Sequence, residues 1–99
     1  MANEQQIATA QGTGDSTAIE ITRPTNTEKS HLRTLLVSGT FDGATVKYQI
    51  SQDNSTFFDV ANADAITSNK AINVEHRAKW HRINVSGGSG SEAIDALVI

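Results

Sequence analysis

Apolar residues recur at every second position along much of this chain, and a period of two predicts strands. Thr17, Ile19 and Ile21 point one way and Ala18, Glu20 and Thr22 the other, until Arg23-Pro24-Thr25-Asn26-Thr27 breaks the run. Val46, Tyr48 and Ile50 alternate as cleanly with Thr45, Lys47 and Gln49, so the former are expected inward. Asp42-Gly43, between β-rich flanks, is a tight hairpin signal because both residues tolerate positive φ. After the turn Gln52-Asp53-Asn54-Ser55, Phe58 and Val60 share one face and Phe57 the other. Further strands are expected over 71–75 (Ile72 and Val74 together), 79–86 (Ile83 and Val85 together, Trp80 and Arg82 opposite) and 93–99. Residues 61–69 read as a loop with room for one helical turn, and 86–91 as a flexible Gly/Ser loop.

One stretch is ambiguous. Leu32, Leu35 and Leu36 sit at helical spacing, and Asn26 or Thr27 would cap a helix over 28–36. The run nevertheless continues into Val37-Ser38-Gly39-Thr40-Phe41, which favours a strand and leaves a helical turn near 28–30 in reserve. The count is seven or eight strands at roughly 8–12-residue spacing. The expected fold is therefore all-β: an antiparallel β-sandwich, or a small barrel, spanning residues 17–99. Residues 1–16 hold one large aliphatic side chain, Ile7, besides Met1, and end in the breaker run Gly12-Thr13-Gly14-Asp15. They read as an extended, acidic arm that orders on a partner, the competing reading being a frayed terminus of no consequence.

Composition agrees and adds exclusions. Among 37 hydrophobic residues, 9 are Ile and 6 Val against 4 Leu, a β-branched bias. Another 12 are Ala, so the core is thin, and added burial against copies or partners is favoured. With no Cys, disulfides and thiolate metal sites are excluded. A formal charge of −3 argues against bulk binding to nucleic acid or anionic membrane. No run approaches the roughly 18–20 apolar residues of a membrane span, and the N-terminus lacks the basic start and apolar core of a signal peptide.

Catalytic and metal constellations are thin, and none is assigned. Ser-His-Asp is the one nucleophilic option, yet no Ser lies in a Gly-x-Ser-x-Gly elbow. His76 and His81 would face opposite sides if extended, so with His31 they read as surface or partly buried rather than as ligands. Asp53, Ser55, Phe57 and Asp59 resemble a calcium loop only loosely, lacking its Gly and terminal Glu, and an Asx turn explains them. No cofactor is expected. The dense feature is His76-Arg77-Ala78-Lys79-Trp80-His81-Arg82, with three of the eight Lys/Arg and the sole Trp. Trp and Arg anchor interfaces, so Arg77, Lys79, Trp80 and Arg82, with Ile7 of the arm, are the candidate partner-binding residues. The competing reading is a charged strand edge that deters aggregation. Between copies, the acidic arm and this basic strand would be complementary.

The segment Ser38-Gly39-Thr40-Phe41-Asp42-Gly43-Ala44-Thr45-Val46, followed by Ser51-Gln52-Asp53 and Phe57-Phe58-Asp59-Val60, resembles small all-β virion proteins of tailed bacteriophages. Arg82-Ile83-Asn84-Val85-Ser86-Gly87-Gly88-Ser89-Gly90 resembles the closing third of the same pattern. Phe57-Phe58 departs from the usual Thr-Trp step. The resemblance covers roughly residues 35–99 and does not separate head from tail proteins. It implies a non-enzymatic virion component, made in the host cytoplasm: a capsid decoration (cement) subunit on the head surface. Its partners would be the major capsid protein and copies of itself, a trimer being compatible. The alternative it leaves open is a tail, adaptor or receptor-binding module, for which Trp80, Tyr48 or Phe57 would stack on a glycan.

Overall fold

A computed structural model describes residues 5–20, 32–63, 65–76 and 78–99. Among them the chain is all-β, with two antiparallel sheets packed face to face and not closed into a barrel. The strands are β1 (Gln5–Gln11), β2 (Gly14–Asp15), β3 (Ile19–Glu20), β4 (Leu32–Thr40), β5 (Thr45–Ser51), β6 (Phe58–Asp59), β7 (Lys70–Glu75), β8 (Trp80–Ser86) and β9 (Ala93–Val98). The first sheet runs β1-β9-β4-β7; the second runs β2-β8-β5-β6, with β3 also pairing with β8.

The alternation read from the sequence produces this arrangement directly. Val46 and Tyr48 on β5, His81, Ile83 and Val85 on β8, and Ile94, Ala96 and Val98 on β9 all point inward. They meet Leu35 and Val37 on β4 and Ile72 and Val74 on β7. Residues 32–40 form a strand, so tertiary pairing overrides the helical spacing of the leucines: Leu35 faces the core and Leu36 the outside. The reserve helical turn near 28–30 lies outside the described residues. Ile66 was not expected in the core, yet its loop pairs with Val46 through two backbone hydrogen bonds of 2.8 and 3.0 Å and buries the side chain.

Two expectations need correction. The supposed arm is an edge strand: β1 pairs with β9, and Ile7 and Ala8 are both buried. Two register shifts, between Gln6 and Ala8 and between Ala8 and Gln11, allow consecutive side chains to turn inward, as a β-bulge does. Ala10 takes positive φ inside the second shift, and its amide bonds Asp95 Oδ1 at 2.8 Å. The acidic segment then crosses to the second sheet, where Ser16 is buried and exchanges hydrogen bonds with Ile83. Phe58 is the other correction. β6 is only two residues long, so Phe58 is 64% exposed while Val60 packs on the core.

Gly39 has a defined role where β4 crosses β9. Its φ is +121°, and a Cβ there would run into the carbonyl of Ala93. We expect Gly39→Ala to cost more than about 2 kcal/mol from strain and overpacking together. Ile7→Ala should cost about 2–5 kcal/mol, the range for a buried Ile, as read by urea denaturation. An unchanged midpoint for Ile7→Ala would restore the detached arm.

Candidate functional site

The outward face of the second sheet carries a polar network centred on Arg82 and a separate ion pair at its end. Arg82 projects from the middle strand and is held on three sides. Its Nε donates to Gln49 Oε1 at 2.8 Å, its Nη1 lies 3.3 Å from Asp15 Oδ2, and its guanidinium stacks 3.8 Å over the Phe57 ring. Asp15 also accepts from Asn84 Nδ2 at 2.7 Å. Gln49 passes the chain on to Asp59 at 2.8 Å, and Asp59 pairs with Lys47 at 3.8 Å. Lys79 pairs with Glu20 at 3.9 Å. Exposed ion pairs contribute at most about 1 kcal/mol each, and the Arg82–Phe57 stack adds about as much. Their larger effect is to hold the face in one geometry.

This arrangement redistributes the candidate residues. Lys79 is exposed, Trp80 and Arg82 are half-buried on the same outer face, Ile7 belongs to the core, and Arg77 lies outside the described residues. The acidic and basic segments, matched above as complementary between copies, satisfy each other within one chain through Asp15–Arg82 and Glu20–Lys79. Of the aromatic residues considered for glycan stacking, Tyr48 is fully buried and Phe57 is covered by Arg82.

A second polar assembly lies between the sheets. Tyr48 Oη is 3.0 Å from His76 Nε2 and 2.9 Å from His81 Nδ1. His81 is fully buried, which corrects its expected surface or partly buried place; the clue was its register with Ile83 and Val85. His76 follows the end of β7 in the other sheet, so the two imidazoles converge although an extended chain would separate them. Buried Arg33 on β4 stands close enough to act electrostatically on both Tyr48 and His81. Burial, partly offset by Arg33, pushes the Tyr48 phenol well above its usual range. Burial, then His76, then Arg33 push His81 down to about 3, so it stays neutral. Arg33 also lines a groove of about 360 Å³ with Thr34, Asn73, Val74, Glu75 and Ile99.

The Asp53 turn is satisfied by the protein itself. Asp53 Oδ1 accepts from Ser55 N at 2.9 Å, Thr56 N at 3.0 Å and Ser51 Oγ at 3.0 Å. These bonds, the Thr56 amide foremost, lower the Asp53 pKa. Among the described residues, no three His, Cys, Asp or Glu side chains are placed to hold a metal. Ser51 is committed to the same turn, receiving the amides of Asp53 and Asn54 at 3.2 and 2.9 Å.

Two of the stretches that carried the resemblance, the Asp42-Gly43 hairpin and the Gly/Ser loop after β8, meet at one end of the sandwich. Ser89 N bonds Asp42 O at 3.2 Å, and Ser91 N bonds Asp42 Oδ2 at 3.1 Å. Glu92 clamps the same loop, accepting from Thr13 N at 3.0 Å, from the Thr13 hydroxyl and from Gly90 N at 2.8 Å. Comparison of the chain with protein-family models, with curated proteins and with solved structures gives no match.

The pH dependence of stability follows. Between about 3 and the ordinary 6.5 of histidine, the unfolded chain binds a proton that folded His81 refuses, so stability falls as pH drops through that window. Glu92, held at about 2 chiefly by the Thr13 hydroxyl and then by backbone amides, adds a loss below its ordinary 4.5. We expect the urea midpoint to fall from pH 7 to pH 3, and Glu92→Gln to remove only the part below about pH 4.5. A flat profile would exclude both assignments.

Proposed function

We propose that this chain is a non-enzymatic virion protein, a decoration subunit that sits on the head surface of a tailed phage and braces junctions between major capsid subunits. The observation that carries the reading is the joining of the two resembling motifs: the hairpin at Asp42-Gly43 and the Gly87–Gly90 loop form one hydrogen-bonded corner. Residues that resemble virion proteins in two separate stretches therefore act as one structural unit. A second support is the outer face built on β8. Its charges are tied within the chain, so the face is rigid before it meets a partner, which lowers the entropy lost on association. Half-buried Trp80 and exposed Lys79 stand at its end, where an anchor and a steering charge are useful.

On a shell, each subunit needs only modest affinity, because many identical sites act together. The glycan-binding alternative has lost two of its three aromatic platforms, Tyr48 and Phe57. The purified protein is expected to bind expanded heads at high copy number and to raise their resistance to heat. Trp80→Ala should weaken that binding by roughly thirtyfold, about 2 kcal/mol, the threshold of an interface hot spot. The same variant should keep the far-UV spectrum of the parent. A few copies per particle, or location in the tail, would overturn the decoration role; retention on host polysaccharide would move the reading to a receptor-binding module.

A further inference from the structure

The outer faces of the two sheets differ in kind. On the second sheet Lys47, Lys79 and Arg82 each meet a carboxylate of the same chain. On the first, Leu36 of β4 and Leu97 of β9 are register partners, and Ser38 and Asp95 form the next outward pair. With Gln6 and Thr9 of β1 these four residues line a groove of about 340 Å³. Asp95 is its one charged residue, and no Lys or Arg lines it. The Ala10 amide holds Asp95 Oδ1 at 2.8 Å, and no cation among the described residues pairs with Oδ2. A carboxylate fixed by the backbone thus stands beside two half-buried leucines.

We propose that this groove binds a lysine side chain of a partner protein, its aliphatic stem lying on Leu36 and Leu97 and its ammonium against Asp95 Oδ2. The dimensions agree. Outward positions two residues apart on a strand are separated by about 6.8 Å. An extended lysine spans about 6 Å from Cα to Nζ. A stem laid along the strands from the leucine pair therefore brings its nitrogen to the Ser38–Asp95 pair. An ammonium has three protons to place, and the hydroxyls of Ser38 and Thr9 join Asp95 as acceptors in the same lining.

Charge and geometry select this occupant over others. Arginine presents a planar fork best met by both oxygens of a carboxylate, and here the Ala10 amide occupies one of them. A purely apolar side chain would cover Asp95 and leave it unpaired. A second copy docked by the same groove would bring carboxylate to carboxylate with no cation between. Gln6 favours a lysine within a chain over a free amine. Its Nε2 donates to Ala8 O at 2.6 Å and Ala96 O at 3.2 Å, which leaves Oε1 to accept a main-chain amide of the partner. Gln6 pairs with Leu97, so that acceptor stands at the leucine end, where the lysine backbone would lie. The groove is on the sheet opposite Trp80, a second contact that does not depend on the decoration role.

Titration of the full chain with acetyl-lysine methylamide, followed by methyl and amide NMR at neutral pH and low salt, tests this. The Leu36 and Leu97 methyl resonances are expected to move saturably, with a Kd of about 1 mM for so small a probe. Asp95→Asn keeps an oxygen for the Ala10 amide but loses the charge, and should weaken the probe about tenfold. Leu97→Ala should weaken it too, and carries the test if Asp95→Asn does not fold. The acetyl-arginine analogue, the uncharged norleucine analogue and n-butylamine, which lacks the main chain, should each bind roughly fivefold more weakly or not at all. Shifts centred on another carboxylate, no saturation in the millimolar range, or unchanged binding in both variants overturns the proposal. So does equal binding of the arginine analogue or of n-butylamine. Leucine resonances that move with protein concentration alone would assign the groove to a second copy and overturn it likewise.

Discussion

A tyrosine hydroxyl buried between two thin sheets constrains the whole end of the molecule. Tyr48 is the largest fully buried side chain among the described residues, set in a core otherwise rich in Ala, Val and Ile. Its hydroxyl cannot reach water, and an unmade bond there would cost about 1–3 kcal/mol. Two imidazoles meet that demand, one from each sheet. His81 must then remain neutral, and Arg33 nearby makes protonation costlier still. Packing, polarity and proton affinity at this end all follow from one inward-facing residue of β5.

The opposite surface obeys another rule. The net charge of −3 is a small sum in which three cation–carboxylate pairs on this face are already matched within the chain. Asp15 reaches Arg82 because β2 pairs with β8, and Glu20 reaches Lys79 because β3 joins the same strand further along. The N-terminal segment thus contributes strands to both sheets: β1 beside β9 and the short β2 and β3 beside β8. Its acidity complements the basic strand within a single chain, so net charge says little about what the face attracts. What it offers a partner is shape and fixed polarity.

How legible all this was depends on whether a residue kept the period of two. Val46, Tyr48, Ile72, Val74, Ile83 and Val85 kept it, and their faces follow from spacing alone. β1 broke it twice, so Gln5–Gln11 read as an arm although Ile7 is core. Ile66 broke it too, reaching the core from a loop through a bridge to Val46. The Arg82 network was half legible: the outward face of β8 follows from alternation, but which carboxylates and ring it meets depends on strand order. The Tyr48 cluster was hidden for the same reason. His81 was in register with the core, but nothing local places His76 across the interior from it.

Strand edges bear on how such a subunit can associate. Exposed edges invite pairing with another chain, and the edges here are blunted in several ways. β1 is bulged, and its outer course is fixed by the Ala10–Asp95 bond. β7 is partly capped where Asn62 Nδ2 bonds Asn73 O at 2.9 Å. In the second sheet β2, β3 and β6 are two residues each, too short to template a long ladder. Strand addition along these edges is thereby discouraged, whereas the face around Trp80 and Arg82 is broad and preformed. A subunit built this way can sit among many neighbours in a shell without joining their sheets, and its selectivity then rests on the fit of that face.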